Sequence, residues 1–150
     1  MEKEDKNNLA IGKLSSGIFI SIKPNFTKII ETGEKNYEFR KYVPKRDINK
    51  LYVYESSPTC CLKYILFIDR IIEYPTIIEE SGIGNDEFNK GLKKSKYAYS
   101  IKNVYKLINP ISLVDLKKNY NFVAPQSYAY DTKYPDLIEF INNSPQKRII

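Results

Sequence analysis

Pro24-Asn25-Phe26-Thr27-Lys28-Ile29-Ile30-Glu31-Thr32-Gly33-Glu34-Lys35-Asn36-Tyr37-Glu38-Phe39-Arg40 changes its hydrophobic period halfway, and that change decides the fold. Before Gly33, Phe26, Ile29 and Ile30 stand three and four apart, on one helix face. Pro24 suits a first helical turn and Gly33 the left-handed residue just past the last one. After Gly33, Tyr37 and Phe39 alternate with Asn36, Glu38 and Arg40, which is strand period. A short helix therefore ends at a glycine and feeds a strand. If Tyr37 and Phe39 face the core, Glu38 and Arg40 share the other face, with Lys35 beside them at the turn. As a solvated ion pair this cluster is worth well under ~1 kcal/mol. As a built site, two fixed cations and a carboxylate can hold a phosphate and read a base edge.

Gly33-x-Lys35-x-x-Glu38-x-Arg40 follows the strand-like Ile18-Phe19-Ile20-Ser21-Ile22-Lys23-Pro24. Together they resemble the signature of the ASCH domain, a branch of the PUA-like superfamily. Ala124-Pro125-Gln126-Ser127-Tyr128 resembles a segment near the end of the bacterial stand-alone ASCH proteins, so the likeness spans residues 17–130. It implies an α+β fold, a small PUA-like mixed β-barrel of five to six strands with short flanking helices. It also implies a cleft for RNA, a nucleotide or a modified nucleoside, lined by Lys23, Lys35, Glu38, Arg40, Gln126 and Tyr128. In that cleft Lys35 and Arg40 would hold phosphate, Glu38 would accept from a base amino group, and Tyr128 would stack or donate.

Three roles follow from the resemblance. The first is this binding module. The second is a small hydrolase. Some ASCH proteins are N4-acetylcytidine amidohydrolases that use a lysine, a threonine nucleophile and a glutamate, and ribonucleases occur among the relatives. Here the threonine position is Glu38, which has no hydroxyl to attack with. If the chain is an enzyme, Lys35 and Glu38 form its acid–base pair. The third role is a protein-interaction module in transcription or translation regulation. The residues favour the binder, because pairing with Glu38 is expected to keep Lys35 protonated.

Composition sets the outer bounds. The 150 residues suit one domain, read as a flexible arm at 1–16 and a folded unit at 17–150. No run approaches the ~18 apolar residues of a membrane helix, and the charged start holds no signal-like core, so a cytoplasmic protein is expected. Cys60 and Cys61 are adjacent and there is no histidine, so neither a disulfide nor a zinc site is expected, nor any cofactor. Without histidine, catalysis would fall to carboxylates, lysine or tyrosine. Charge is segregated. Residues 13–50 hold nine Lys/Arg against four Asp/Glu, residues 51–89 hold two against seven, and residues 90–106 hold six lysines and no acid. Two basic blocks and thirteen tyrosines suit a polyanion with bases to stack.

Along the chain, strands are expected at Gly17–Lys23, Lys50–Ser57, Lys63–Tyr74 and Tyr97–Leu107. Asp69-Arg70 interrupts the third of these as a bulge would. Lys41–Asp47 reads as a loop whose Lys41, Lys45 and Arg46 form a lip for phosphate. Ser56-Ser57-Pro58 offers hydroxyls at a strand end, either for a ligand oxygen or as ordinary turn chemistry. A short helix is expected at Ile77–Ser81 with Gly82 as its stop, and another at Asp86–Leu92 capped by Asn85. Pro110–Leu116 reads as a turn into one helical turn. Phe122–Tyr130 reads as an extended stretch that carries Gln126, Ser127 and Tyr128, and a last helix is expected at about 135–143.

Overall fold

In the computed structural model, which describes residues 16–150, β1 (Ser16–Ile22) crosses through α1 (Pro24–Glu31) and β2 (Tyr37–Arg40) to reach β3 (Ile48–Glu55). β1 and β3 pair in parallel, Ile18 beside Leu51 and Ile22 beside Glu55. β4 (Cys61–Glu73) returns antiparallel, and β5 (Tyr97–Ser112) pairs along it. The sheet order is β2-β5-β4-β3-β1-β6, with β6 at Ala129–Tyr130, and β7 (Gln146–Arg148) pairs separately with β5. The short helices α2 (Asn85–Asn89), α3 (Leu113–Tyr120) and α4 (Pro135–Asn142), with a 3-10 turn at Asp131–Lys133, complete the elements of the described residues. This mixed, curled sheet with short helices is the α+β arrangement expected of a small PUA-like domain, with seven strands in place of five or six. The arm expected at 1–16 lies outside the described residues except Ser16, which begins β1.

The period change at Gly33 is realised as read. Gly33 has φ +85, and its N–H closes on the Ile30 carbonyl at 3.1 Å. Alternation along β3 divides the core in two. Leu51 and Val53 pack with Ile18, Ile20, Ile22 and Ile30 on one face. Tyr52 and Tyr54 pack with Phe19, Leu116, Leu137 and Ile141 on the other, under α3 and α4. Side chains of paired residues share a face, so Glu38, paired with Tyr99, lies on the Ile18–Ile22 side, while Tyr37 sits with Phe88 and Ala98 in a third cluster. Both faces of β2 are therefore covered, and the charged face does not meet open water.

The ladder of β4 breaks between Ile68 and Ile71, leaving Asp69 and Arg70 exposed, as the charges there predict. Cys60 and Cys61 are free thiols at the start of β4. Other expectations need correction. Ile77–Gly82 is not helical. The N–H and C=O of Ile78 are instead held by the Asn89 side chain, each at 2.8 Å. Asn85 is the first residue of α2, not its cap, and that place belongs to Gly84 at φ +89. Pro110 does not turn the chain. It lies inside β5, where the pairing shifts register between Tyr64–Lys106 and Leu62–Ile111, so no ladder N–H is missed. The helical turn expected by Leu116 starts at Leu113 and runs to Tyr120, capped by the Ser112 hydroxyl.

Candidate functional site: a charged seam between the sheet edges

β2 and β6 end opposite sides of the sheet, and the curl brings β2 back to β1. β6 pairs only with Ile18 and Phe19, which leaves the far end of β1 uncovered. Arg40 closes that gap. Its Nη2 donates to the Ser21 carbonyl at 2.9 Å and its Nη1 to the Tyr42 hydroxyl at 3.3 Å. Tyr42 passes its own proton to the Ser127 carbonyl at 2.7 Å, and the Tyr99 hydroxyl donates to the Tyr42 carbonyl at 2.7 Å. The Ser21 hydroxyl reaches the Pro125 carbonyl at 2.6 Å. Side chains, not a backbone ladder, join the two edges.

The predicted trio converges on this seam. Glu38 Oε2 takes Arg40 Nη2 at 2.8 Å and Nε at 2.9 Å, and Glu38 Oε1 lies 3.7 Å from Lys35 Nζ. The three side chains are 8–15% exposed. Two cations against one carboxylate leave a net positive charge in a dry place, where an arriving anion would be held strongly.

Lys35 Nζ also lies 4.5 Å from the centre of the Phe39 ring, and Lys93 Nζ approaches the same ring at 4.5 Å. Burial pulls the Lys35 ammonium below the usual lysine range. Glu38 works against that fall, while Lys93 and Arg40 add to it. Glu38 favours the charged lysine, as expected, but burial more than offsets it. Desolvation outweighs the carboxylate, so Lys35 gives up its proton more readily than a solvated lysine does.

The remaining candidates are spread around the seam. Tyr128 stacks on Tyr42 with ring centres 5.0 Å apart, and Gln126 and Ser127 are exposed on the strap between Pro125 and Tyr128. Lys41 is exposed directly after β2. Lys23 is exposed at the N-terminus of α1, where its carbonyl accepts the Phe26 and Thr27 N–H groups. The Ser56 N–H donates to the Ile22 carbonyl at 3.0 Å, which extends the β1–β3 junction, and Ser57 is exposed in the turn that follows. Ser21, Tyr42, Tyr99 and Lys93 were missed. Only Tyr42 carried a signal, since it extends the Glu38–Arg40 alternation by one more step.

Two clusters support the site without joining it. Segment 34–36 is clasped by amides: Asn36 donates to the Ser81 carbonyl at 3.0 Å, and Asn85 donates to Asn36 Oδ1 at 3.0 Å and to the Glu80 carbonyl at 3.1 Å. A Cβ on Gly82 would lie 2.3 Å from Asn36 Oδ1, so this clasp requires glycine there. On the other side of α1, Tyr64 donates to Glu31 Oε2, with Lys106 3.2 Å from Oε1, and Thr27 donates to Glu55, whose other oxygen lies 3.4 Å from Lys63. These bonds fix α1, and hence Lys35, to the sheet. A separate polar groove of about 210 Å³ lies between the end of α3 and the start of α4, away from the seam. Among the described residues, no group of three Cys, Asp or Glu side chains could hold a metal ion, and no helix is long and apolar enough to cross a membrane.

The architecture defines the class: the chain has the ASCH-domain fold. The likeness is to crystal structures of the ASCH protein of Zymomonas mobilis, at 19% identity and TM-score 0.64 over 86% of this chain and 96% of that one. A tyrosine-to-phenylalanine variant of the same protein matches at 18% identity and TM-score 0.65, covering 99% of its length, and a serine-to-alanine variant at 19% and 0.64. No family model matches the sequence, and no curated protein does.

Proposed function

We propose that the chain belongs to the ASCH family and binds RNA, a nucleotide or a modified nucleoside at the seam between β2 and β1. The observation that carries this reading is the buried Lys35–Glu38–Arg40 trio beside the half-exposed Tyr42–Tyr128 stack. Phosphate would meet Lys35 and Arg40, the Glu38 carboxylate would accept from a base amino group, and Tyr128 would carry the base face. The trio is net positive and largely shielded from water, so a phosphate gains more there than at an exposed lysine.

The test is a thermal-shift panel of nucleotides, modified nucleosides and short RNAs, followed by titration of whatever stabilises the fold. Lys35→Ala is expected to weaken the bound nucleotide by about 1.5–3 kcal/mol, the range for a hydrogen bond to a charged group. Glu38→Ala is expected to change which base is preferred. A panel in which nothing raises the midpoint, or binding indifferent to Lys35→Ala, overturns the reading.

The lowered pKa of Lys35 favours a second reading, a small hydrolase with Lys35 as base and Glu38 as its partner. N4-acetylcytidine and RNA are assayed in the same panel. Turnover above background that disappears in both Lys35→Ala and Glu38→Ala would put the hydrolase first.

A further inference from the structure

Lys93 reaches Lys35 from the loop after α2 and brings no acid with it. Lys96 Nζ pins that loop by donating to the Gly91 carbonyl at 3.2 Å and to the Lys93 carbonyl at 2.6 Å. The half-buried Lys93 side chain then lies across Gly84, where an added Cβ would stand 3.2 Å from its Cε and 3.3 Å from its Nζ. Its ammonium ends 4.5 Å from the centre of the Phe39 ring, and the Lys35 ammonium stands at the same distance from that ring. Phe39 in turn stacks on Phe88 with ring centres 5.6 Å apart, which fixes the ring that both cations share. Among the described residues Lys35 has Glu38 at 3.7 Å, but no carboxylate forms an ion pair with Lys93. A lysine left to itself turns its ammonium to water or to an acid. This one is led by a pinned loop and a missing Cβ toward another cation.

We propose that Lys93 is a specificity-determining residue of the seam, and that the group it selects is a terminal phosphate, a phosphate monoester, over the phosphodiester inside a strand and over a bare nucleoside. The inference rests on nucleotide binding at the seam and names the phosphate class taken there. Charge decides it. Lys35, Glu38 and Arg40 together carry one positive charge, which a phosphodiester already balances. Lys93 makes it two. A phosphate monoester carries about 1.5 to 2 negative charges at pH 7 and offers three strong acceptor oxygens. It answers the second cation where a diester leaves it uncompensated, and a hydrogen bond from an ammonium to such an oxygen is of the strong, charge-assisted kind. A dianion beside the two ammoniums also offsets the repulsion that Lys93 exerts on Lys35. The same terminal group is found on a mononucleotide and on the end of a strand.

The experiment titrates four ligands by calorimetry: adenosine, adenosine 5′-monophosphate, an adenine dinucleotide whose only phosphate is the internal diester, and the same dinucleotide with a 5′-phosphate. Adenine is used because its amino group can donate to Glu38. The proteins are the full chain, Lys93→Gln, Lys93→Arg and Lys94→Gln, the last removing the charge of an exposed neighbour. A ligand with a terminal phosphate is expected to bind at least ~10-fold more tightly than its partner without one, the effect of one hydrogen bond between charged groups. Lys93→Gln is expected to remove that margin and leave adenosine and the plain dinucleotide unchanged. Lys93→Arg is expected to keep the margin, and Lys94→Gln to leave it intact. A margin seen with both phosphorylated ligands assigns the site to strand ends as well as free nucleotides, and a margin seen with one assigns it to that source; either supports the proposal. If the ligands without a terminal phosphate bind as tightly as those with one, or the margin survives Lys93→Gln, or Lys94→Gln removes it equally, the proposal is overturned and the seam stands. If none of the four binds, both readings fall.

Discussion

Arg40→Met separates the two duties of the seam, closing the sheet and holding Glu38. Glu38 has two Arg40 nitrogens at 2.8 and 2.9 Å and one looser partner, Lys35, at 3.7 Å. Its side chain is only 10% exposed, so water cannot replace the arginine. Removing one partner of a buried pair costs roughly 3–5 kcal/mol. Lys35 remains, which puts the charge cost near the lower end, about 3 kcal/mol. The Ser21 carbonyl and the Tyr42 hydroxyl also lose a donor, at about 0.5–1.5 kcal/mol each. A loss of ~4–6 kcal/mol lowers the midpoint of a chain this size by roughly 8–24 °C. Urea denaturation followed by circular dichroism measures it, in a cycle with Glu38→Gln. The double variant is expected to be more stable than Arg40→Met alone, because the stranded charge is gone. If Arg40→Met costs under ~1 kcal/mol, or the two single costs add within ~0.5 kcal/mol, Glu38 is not a desolvated partner of Arg40 and the dry seam is wrong.

Two further outcomes are expected. Lysine NMR on reductively methylated protein places the Lys35 midpoint below the ordinary lysine value; Lys93→Gln raises it and Glu38→Gln lowers it further, since the first removes a repelling charge and the second an attracting one. The folded chain then binds fewer protons than the unfolded one between the two Lys35 values, so the unfavourable contribution of this lysine at neutral pH is relieved as pH rises through that window. Tyr64→Phe costs about 1–2 kcal/mol at pH 7, because the Tyr64 hydroxyl is the chief cause of the lowered Glu31 pKa, with burial opposing and Lys106 assisting. That contribution is present above the unfolded carboxyl value and lost as pH falls through the folded one, so urea midpoints of wild type and variant draw together as the pH falls below the ordinary carboxyl range.

The elements that were legible are those whose pattern is local. The helix–glycine–strand change at Gly33, the alternation of Leu51, Tyr52, Val53 and Tyr54, and the charged break at Asp69-Arg70 all lie within a few residues, and each sets its structure by side-chain period. The strand face carrying Glu38 and Arg40 was legible too, but not its burial, because what covers it is Ser21 and the strap at Pro125–Ser127, both distant in sequence. The same distance hides the fate of Ile77–Gly82. Its apolar pair and following acids suit a helix, yet its polar backbone is satisfied by Asn36, Asn85 and Asn89 from elsewhere in the chain. Gln146–Arg148 has no apolar alternation at all. It is a strand only because the edge of β5 offers it a ladder. The direction of the Lys35 shift turned on burial against one carboxylate, a contest that neighbours in sequence do not reveal.

A backbone ladder fixes where two strands meet, since shifting one by a single residue turns every side chain to the wrong face. The junction between β2 and β1 carries no such rule. It consists of individual bonds from Arg40, Tyr42 and Tyr99, and each can be lengthened, shortened or deleted while the paired strands keep their alignment. How tightly this curled sheet closes is thus set by side chains along one line, within the girth its strand number allows. Its mouth can be re-cut by point substitution without shifting any strand register, at the stability cost of the bonds removed.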